Sequence, residues 1–120
     1  MLSLALPVEI YFCTEATDMR RGFDGLLRMA EEHLARDVLA GGLYVFVNRR
    51  RDRLKLLYWD NDGLAIWHKR LEIGRFQLPG VDPDASKAKY VTLTAMQLAL
   101  ILGGIDLASV RQRKRYRRPA

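Results

Sequence analysis

The chain has 120 residues, 49% of them apolar, enough for one domain with one modest core. Its longest apolar runs fall well short of the ~18–20 residues that cross a bilayer, and its start lacks the basic lead of a secretory signal. The net charge is +6, and one cysteine, Cys13, excludes an internal disulfide. A lone Cys beside Tyr11 and Phe12 reads as a buried strand residue in a reducing compartment, so the chain is expected to be cytoplasmic.

In chain order, Val8 to Cys13 has the β-branched and aromatic content of a first strand. Thr17 and Asp18 offer helix-capping oxygens. Phe23, Leu26, Leu27, Ala30 and Leu34 then recur at helical spacing, with Arg28, Glu31, Glu32 and Arg36 falling elsewhere, which predicts an amphipathic helix. Gly22 and Gly25 weaken its first turns: either a glycine permits close packing, or the helix begins later than Asp18. Gly41-Gly42 closes the segment.

The middle of the chain predicts a meander of three strands: Leu43 to Asn48, Arg53 to Trp59 and Leu64 to Lys69. Asp60-Asn61-Asp62-Gly63 joins the last two, and these residue types tolerate left-handed backbone. Leu43 to Val47 is apolar on both faces, so it should be the best-covered strand, with the first helix over one side. Trp59 and Trp67 flank the turn at a spacing that allows cross-strand packing. Residues 74–90, with Gly74, Pro79, Gly80 and Pro83, read as a long loop in which Arg75 to Leu78 is a possible short strand. Thr94-Ala95-Met96-Gln97 is a capping box, with Leu93 placed to staple against Leu98 at the start of a second helix. The expected fold class is α+β: an antiparallel sheet with a three-strand meander packed against two helices. Residues 1–110 form the single domain, and 111–120 form a basic tail with too little apolar content to order itself.

The charge is segregated. Arg111, Arg113, Lys114, Arg115, Arg117 and Arg118 stand in the last ten residues with no acid, and these six equal the whole net charge. Tyr116 lies among them, where it can stack on a base. A second cluster, Arg49, Arg50, Arg51, Arg53 and Lys55, contains one acid, Asp52. Segregated arginine suits a polyanion, because the planar guanidinium matches phosphate. The competing readings are a solvated tail and a turn whose arginines pair with surface acids. Asp60 and Asp62 form a close carboxylate pair, but two carboxylates without a third ligand make a poor metal site, and the turn accounts for both. Asp82 and Asp84 around Pro83 are weaker still. His33 and His68 have no Cys or His partner at metal spacing. No phosphate-binding glycine loop or nucleophile motif is present, so no catalytic residue, cofactor or metal is assigned.

Several runs carry a resemblance: Thr17-Asp18-Met19-Arg20-Arg21-Gly22-Phe23-Asp24-Gly25-Leu26, the stretch from Val45 to Asp60, Asp62-Gly63, Trp67 to Glu72, Gly74-Arg75-Phe76, and Leu102 to Leu107. In this order the chain resembles the small accessory protein of bacterial transposons of the insertion sequence 66 type. His68 stands where that family more often has Tyr. The resemblance implies a non-catalytic role in transposition beside a larger transposase, and it assigns no role to individual residues. The expected partners are DNA, held by the tail and the Arg49–Arg53 loop, and the transposase. The alternatives are a module that docks on the transposase without touching DNA, and a metal-dependent nuclease using Asp60 and Asp62.

Overall fold

A computed structural model describes residues 9–34, 37–78 and 89–103. The elements are β1 (Ile10–Cys13), α1 (Phe23–Leu34), a 3-10 turn (Val38–Ala40), β2 (Leu43–Val47), β3 (Arg53–Asp60), β4 (Gly63–Arg70), β5 (Tyr90–Leu93) and α2 (Ala95–Gly103). The strands form one five-stranded sheet in the order β4-β3-β2-β1-β5. The meander β2-β3-β4 is antiparallel throughout. β1 lies parallel to β2, with Ile10 opposite Leu43, which makes the sheet mixed. Parallel neighbours need a crossover between them, and the chain between β1 and β2 carries α1 for that purpose.

Side chains alternate across the sheet, so the central strands feed two cores at once. On one face, Tyr11, Cys13, Tyr44, Phe46 and Leu57 pack with Leu26, Met29 and Ala30 of α1. On the other, Ile10, Phe12, Leu43, Val45, Val47, Leu54 and Leu56 pack with Phe76, Leu98 and Ile101. All five residues of β2 are buried, as its unbroken apolar run predicts for a strand covered on both sides.

The structure takes the later of the two helix starts that the sequence left open, and departs from the sequence elsewhere. The Thr17–Gly22 segment is not helical: Asp18 accepts from the backbone N–H of Arg20 at 2.9 Å, a local turn that competes with capping, and α1 starts at Phe23. Phe23, counted with the packed face, is 50% exposed at that first position. Tyr90–Leu93 is a strand, antiparallel to β1, inside or beside a stretch read as loop; four residues are too few to show a period. Arg75–Leu78 is not a strand, although Phe76 is buried. The register also sets Trp59 opposite Leu64 and Trp67 opposite Leu56. The two indoles therefore lie on opposite faces and do not pair.

The turns and caps follow their residue types. Asp60 and Gly63 close the β3–β4 hairpin, and Asn61 takes a φ of 55°, in the left-handed region it tolerates. At α2, Gln97 N–H donates to Thr94 Oγ1 at 3.1 Å, and Thr94 N–H donates to Gln97 Oε1 at 2.9 Å. Leu93 and Leu98 are buried in the same core, where the staple reading puts them. Among the described residues no helix is long and apolar enough to cross a membrane.

Thr94→Ala is expected to cost about 1 kcal/mol through loss of the cap. Ile101→Ala, at a fully buried position, should cost about 2–5 kcal/mol. Met96→Ala, 73% exposed, should stay within about 0.5 kcal/mol of wild type. Urea unfolding of the three variants measures the order.

Candidate nucleic-acid interface

The β2–β3 loop is built around Asn48. Its Oδ1 accepts from the backbone N–H groups of Asp52 and Arg53, both at 3.0 Å, and its Nδ2 donates to Asp52 Oδ1 at 2.7 Å. Arg51 N–H donates to Asn48 O at 3.0 Å, and Arg51 adopts a φ of 61°. A non-glycine residue there carries a steric cost, and bonds from outside the loop hold it in place. Phe76 N–H donates to Arg51 O at 2.6 Å, and Leu71 N–H to Asp52 O at 2.7 Å. The loop backbone is thus tied both to itself and to the segment after β4.

This arrangement decides how the arginines stand. Asp52, the one acid within the cluster, gives its carboxylate to Asn48. Arg49, Arg50, Arg51 and Arg53 are exposed, and none of them makes an ion pair among the described residues. The reading in which they neutralise surface acids therefore finds no support in these contacts.

A second wall faces the loop. Thr17 N–H donates to Val47 O at 2.9 Å, and Arg21 N–H to Asp18 O at 3.1 Å. Arg20 grips Asp18 through Nε and Nη2, the latter at 2.7 Å. That guanidinium, first by hydrogen bonding, holds the Asp18 carboxyl down at about 2. Between the walls lies a groove of about 430 Å³, lined by Thr17 to Arg20 on one side and by Asn48, Arg49, Arg50, Asp52 and Arg53 on the other.

Lys55 was grouped with the basic loop by sequence, and the structure places it elsewhere. It is only 8% exposed. Its Nζ donates to Met19 O at 2.9 Å and to Arg21 O at 2.8 Å. Lys55 is a brace for the second wall, with its charge directed inward. The physical reason is strand periodicity: Lys55 alternates with Leu54 and Leu56 and so points under the Thr17–Gly22 segment.

The register sets one further arginine beside the basic loop. Arg53 lies opposite Arg70, and Lys55 opposite His68. Arg70 is partly offset by Glu72, at 2.9 Å. His68 is pushed below its ordinary value by partial burial, then by Lys55, Arg53 and Arg70 in that order.

The remaining sequence candidates separate from this site. Arg111, Arg113, Lys114, Arg115, Tyr116, Arg117 and Arg118 lie outside the described residues, as do Asp82 and Asp84. Asp60 and Asp62 sit at the far end of β3 from Arg53, about 23 Å along the strand. No group of three or more potential metal ligands occurs among the described residues. His33 packs edge-on to Tyr90 at 6.1 Å, and its Nδ1 is buried without a partner. Cys13 is buried, which raises its thiol. Sequence reasoning missed the wall from Thr17 to Arg21 as part of the site. Its one signal was an acid–base pair, Asp18 and Arg20, at turn rather than helix spacing.

Comparison with known proteins gives a family. The family described as IS66 Orf2 like protein matches residues 8–112. The chain is 32% identical over 119 residues to the uncharacterized protein y4jC of Sinorhizobium fredii (strain NBRC 101917 / NGR234), covering 99% of this chain and 97% of that protein. It is 35% identical over 106 residues to the uncharacterized protein y4hO of the same organism, covering 88% of each. No solved structure matches significantly.

Lys55→Met should destabilise the fold by about 1–3 kcal/mol, because two buried carbonyls lose their donor. Arg53→Ala should stay within about 0.5 kcal/mol of wild type, and urea unfolding distinguishes the two. Carboxyl-carbon NMR should find Asp18 titrating at about 2, with the Arg20 pair intact above that pH and opening as the pH falls through it. In Arg20→Ala the midpoint should move up toward the ordinary 3.8.

Proposed function

The chain belongs to the IS66 Orf2-like family of transposon accessory proteins, and on that premise we propose that it serves DNA transposition without catalysis, by binding DNA on its arginine loop. One observation carries the DNA contact: four exposed guanidiniums on a loop of fixed backbone, with the neighbouring carboxylate already committed to Asn48. Phosphate is the ligand that fits. It is anionic, it accepts the paired donors of a guanidinium, and it repeats along a strand at a spacing a cluster of arginines can follow.

The basic tail, residues 111–120, adds six cations with no acid and supplies affinity without sequence preference. The loop supplies position, since its backbone does not have to order on binding. As the second partner, this reading takes a larger transposase of the same element. Contacts of this kind read the backbone of DNA more than its bases, so recognition of a particular sequence is assigned to the transposase.

Salt dependence of duplex binding tests the proposal. Each neutralised phosphate contributes about −0.9 to the slope of log K against log salt. The triple variant Arg49→Ala, Arg50→Ala, Arg53→Ala should flatten that slope by about 2–3, and removal of residues 111–120 by about 5. If the intact protein has no affinity for DNA at low salt yet holds the transposase through the same arginines, docking on the transposase replaces DNA contact as the function.

A further inference from the structure

The groove between the two walls is concave, and that bears on which form of DNA it fits. It holds about 430 Å³ and is wide open to solvent, a trough and not an enclosed pocket. A nucleotide in a duplex can lay only its phosphates along such a trough, because its base is held in the stack and paired. An unpaired nucleotide can be splayed out and seated there. The lining offers it phosphate partners: Arg49, Arg50 and Arg53 stand on one wall, while the Asp18 carboxylate on the other is already held by Arg20.

Phe23 is the second, independent observation. It opens α1 with half of its surface exposed, while Leu26 and Ala30 of the same helix are fully buried. Single exposed apolar residues are ordinary on protein surfaces; the position of this one is what matters. The Thr17–Arg20 wall leads directly to it through Arg21 and Gly22, both exposed. Lys55 fixes the Arg21 carbonyl at 2.8 Å, and Lys55 stands about 7 Å along β3 from Arg53, on the same face. A side chain at Gly22 would meet nothing within 4 Å, so the approach beside the ring is open. An aromatic ring left in water, three residues beyond a groove wall faced by exposed guanidiniums, is a combination by which proteins hold single strands: the ring stacks on a base and the cations track the phosphates.

We propose that the groove and Phe23 together form a site for unpaired nucleotides of single-stranded DNA, with phosphates on Arg49, Arg50 and Arg53 and a base stacked on Phe23. This rests on the DNA-binding reading above and narrows it to one form of DNA. The full-length protein, its Phe23→Ala, Phe23→Leu and Phe23→Trp variants, and a labelled DNA strand offered alone or as its duplex make the test, read by fluorescence anisotropy. Phe23→Ala and Phe23→Leu should weaken single-strand binding about tenfold or more and leave duplex binding unchanged, while Phe23→Trp keeps wild-type affinity. The thermal melts of the variants should match wild type, since the ring is half in water. Equal loss on both DNA forms, no loss on either, or binding confined to duplex overturns this proposal and leaves DNA binding standing. Absence of affinity for both forms overturns the two together.

Discussion

Lys55 Nζ reaches from the middle of β3 to the backbone carbonyls of Met19 and Arg21, and the Thr17–Gly22 segment has little else to set its height above the sheet. That segment has no ladder and no helix of its own. Its other anchors are the bond from Thr17 N–H to Val47 O at 2.9 Å and the packing of Met19 against the core under α1. Burying a lysine head group is costly unless acceptors surround it, and here the acceptors are carbonyls that themselves need donors. Each side therefore satisfies the other. One wall of the groove is positioned by β3 and the other rises directly from its first residues, so a single strand sets the spacing between them.

The sheet explains why the basic loop can be held so firmly. β2 is buried at every position and β3 at four consecutive ones, Leu54 to Leu57. The loop joins two strands that are buried over Leu43 to Val47 and Leu54 to Leu57, and its ends cannot drift. Asn48 then closes the loop from within, while Leu71 and Phe76 close it from outside. The arginine side chains remain free in solvent on a backbone that is fixed. Mobility of the ligand-seeking groups and rigidity of their support are thereby separated.

The sequence displayed the parts of this protein that depend on local chemistry. The strands β3 and β4, the Asp60–Gly63 turn and the Thr94–Gln97 box each rest on residues a few positions apart, and each appears as expected. The α+β class followed from them. What stayed hidden depends on contacts between distant segments. Tyr90–Leu93 becomes a strand because β1 offers it an edge, and that edge is far away in the chain. Lys55 looked like a fifth cation of the basic loop because its neighbours in sequence are arginines; only the Met19 and Arg21 carbonyls, more than thirty positions away, show that it turns inward. Phe23 matched the helical period and yet stands at the helix end, where α1 no longer covers it. The Thr17–Arg21 wall was legible as a run of residues in the family resemblance and illegible as a surface, because nothing in its own spacing says what it faces.

The register that sets Arg53 against Arg70 has a further consequence. Like charges directly opposite one another repel, and the fold holds them together at the expense of its own stability. Mobile ions shield that repulsion. On the proposed function, the same ions would compete with DNA for the arginines. Added salt would then act in two opposed directions, tightening the native state while loosening the proposed hold on a polyanion. A bound strand would do for the fold what the ions do and remove the conflict.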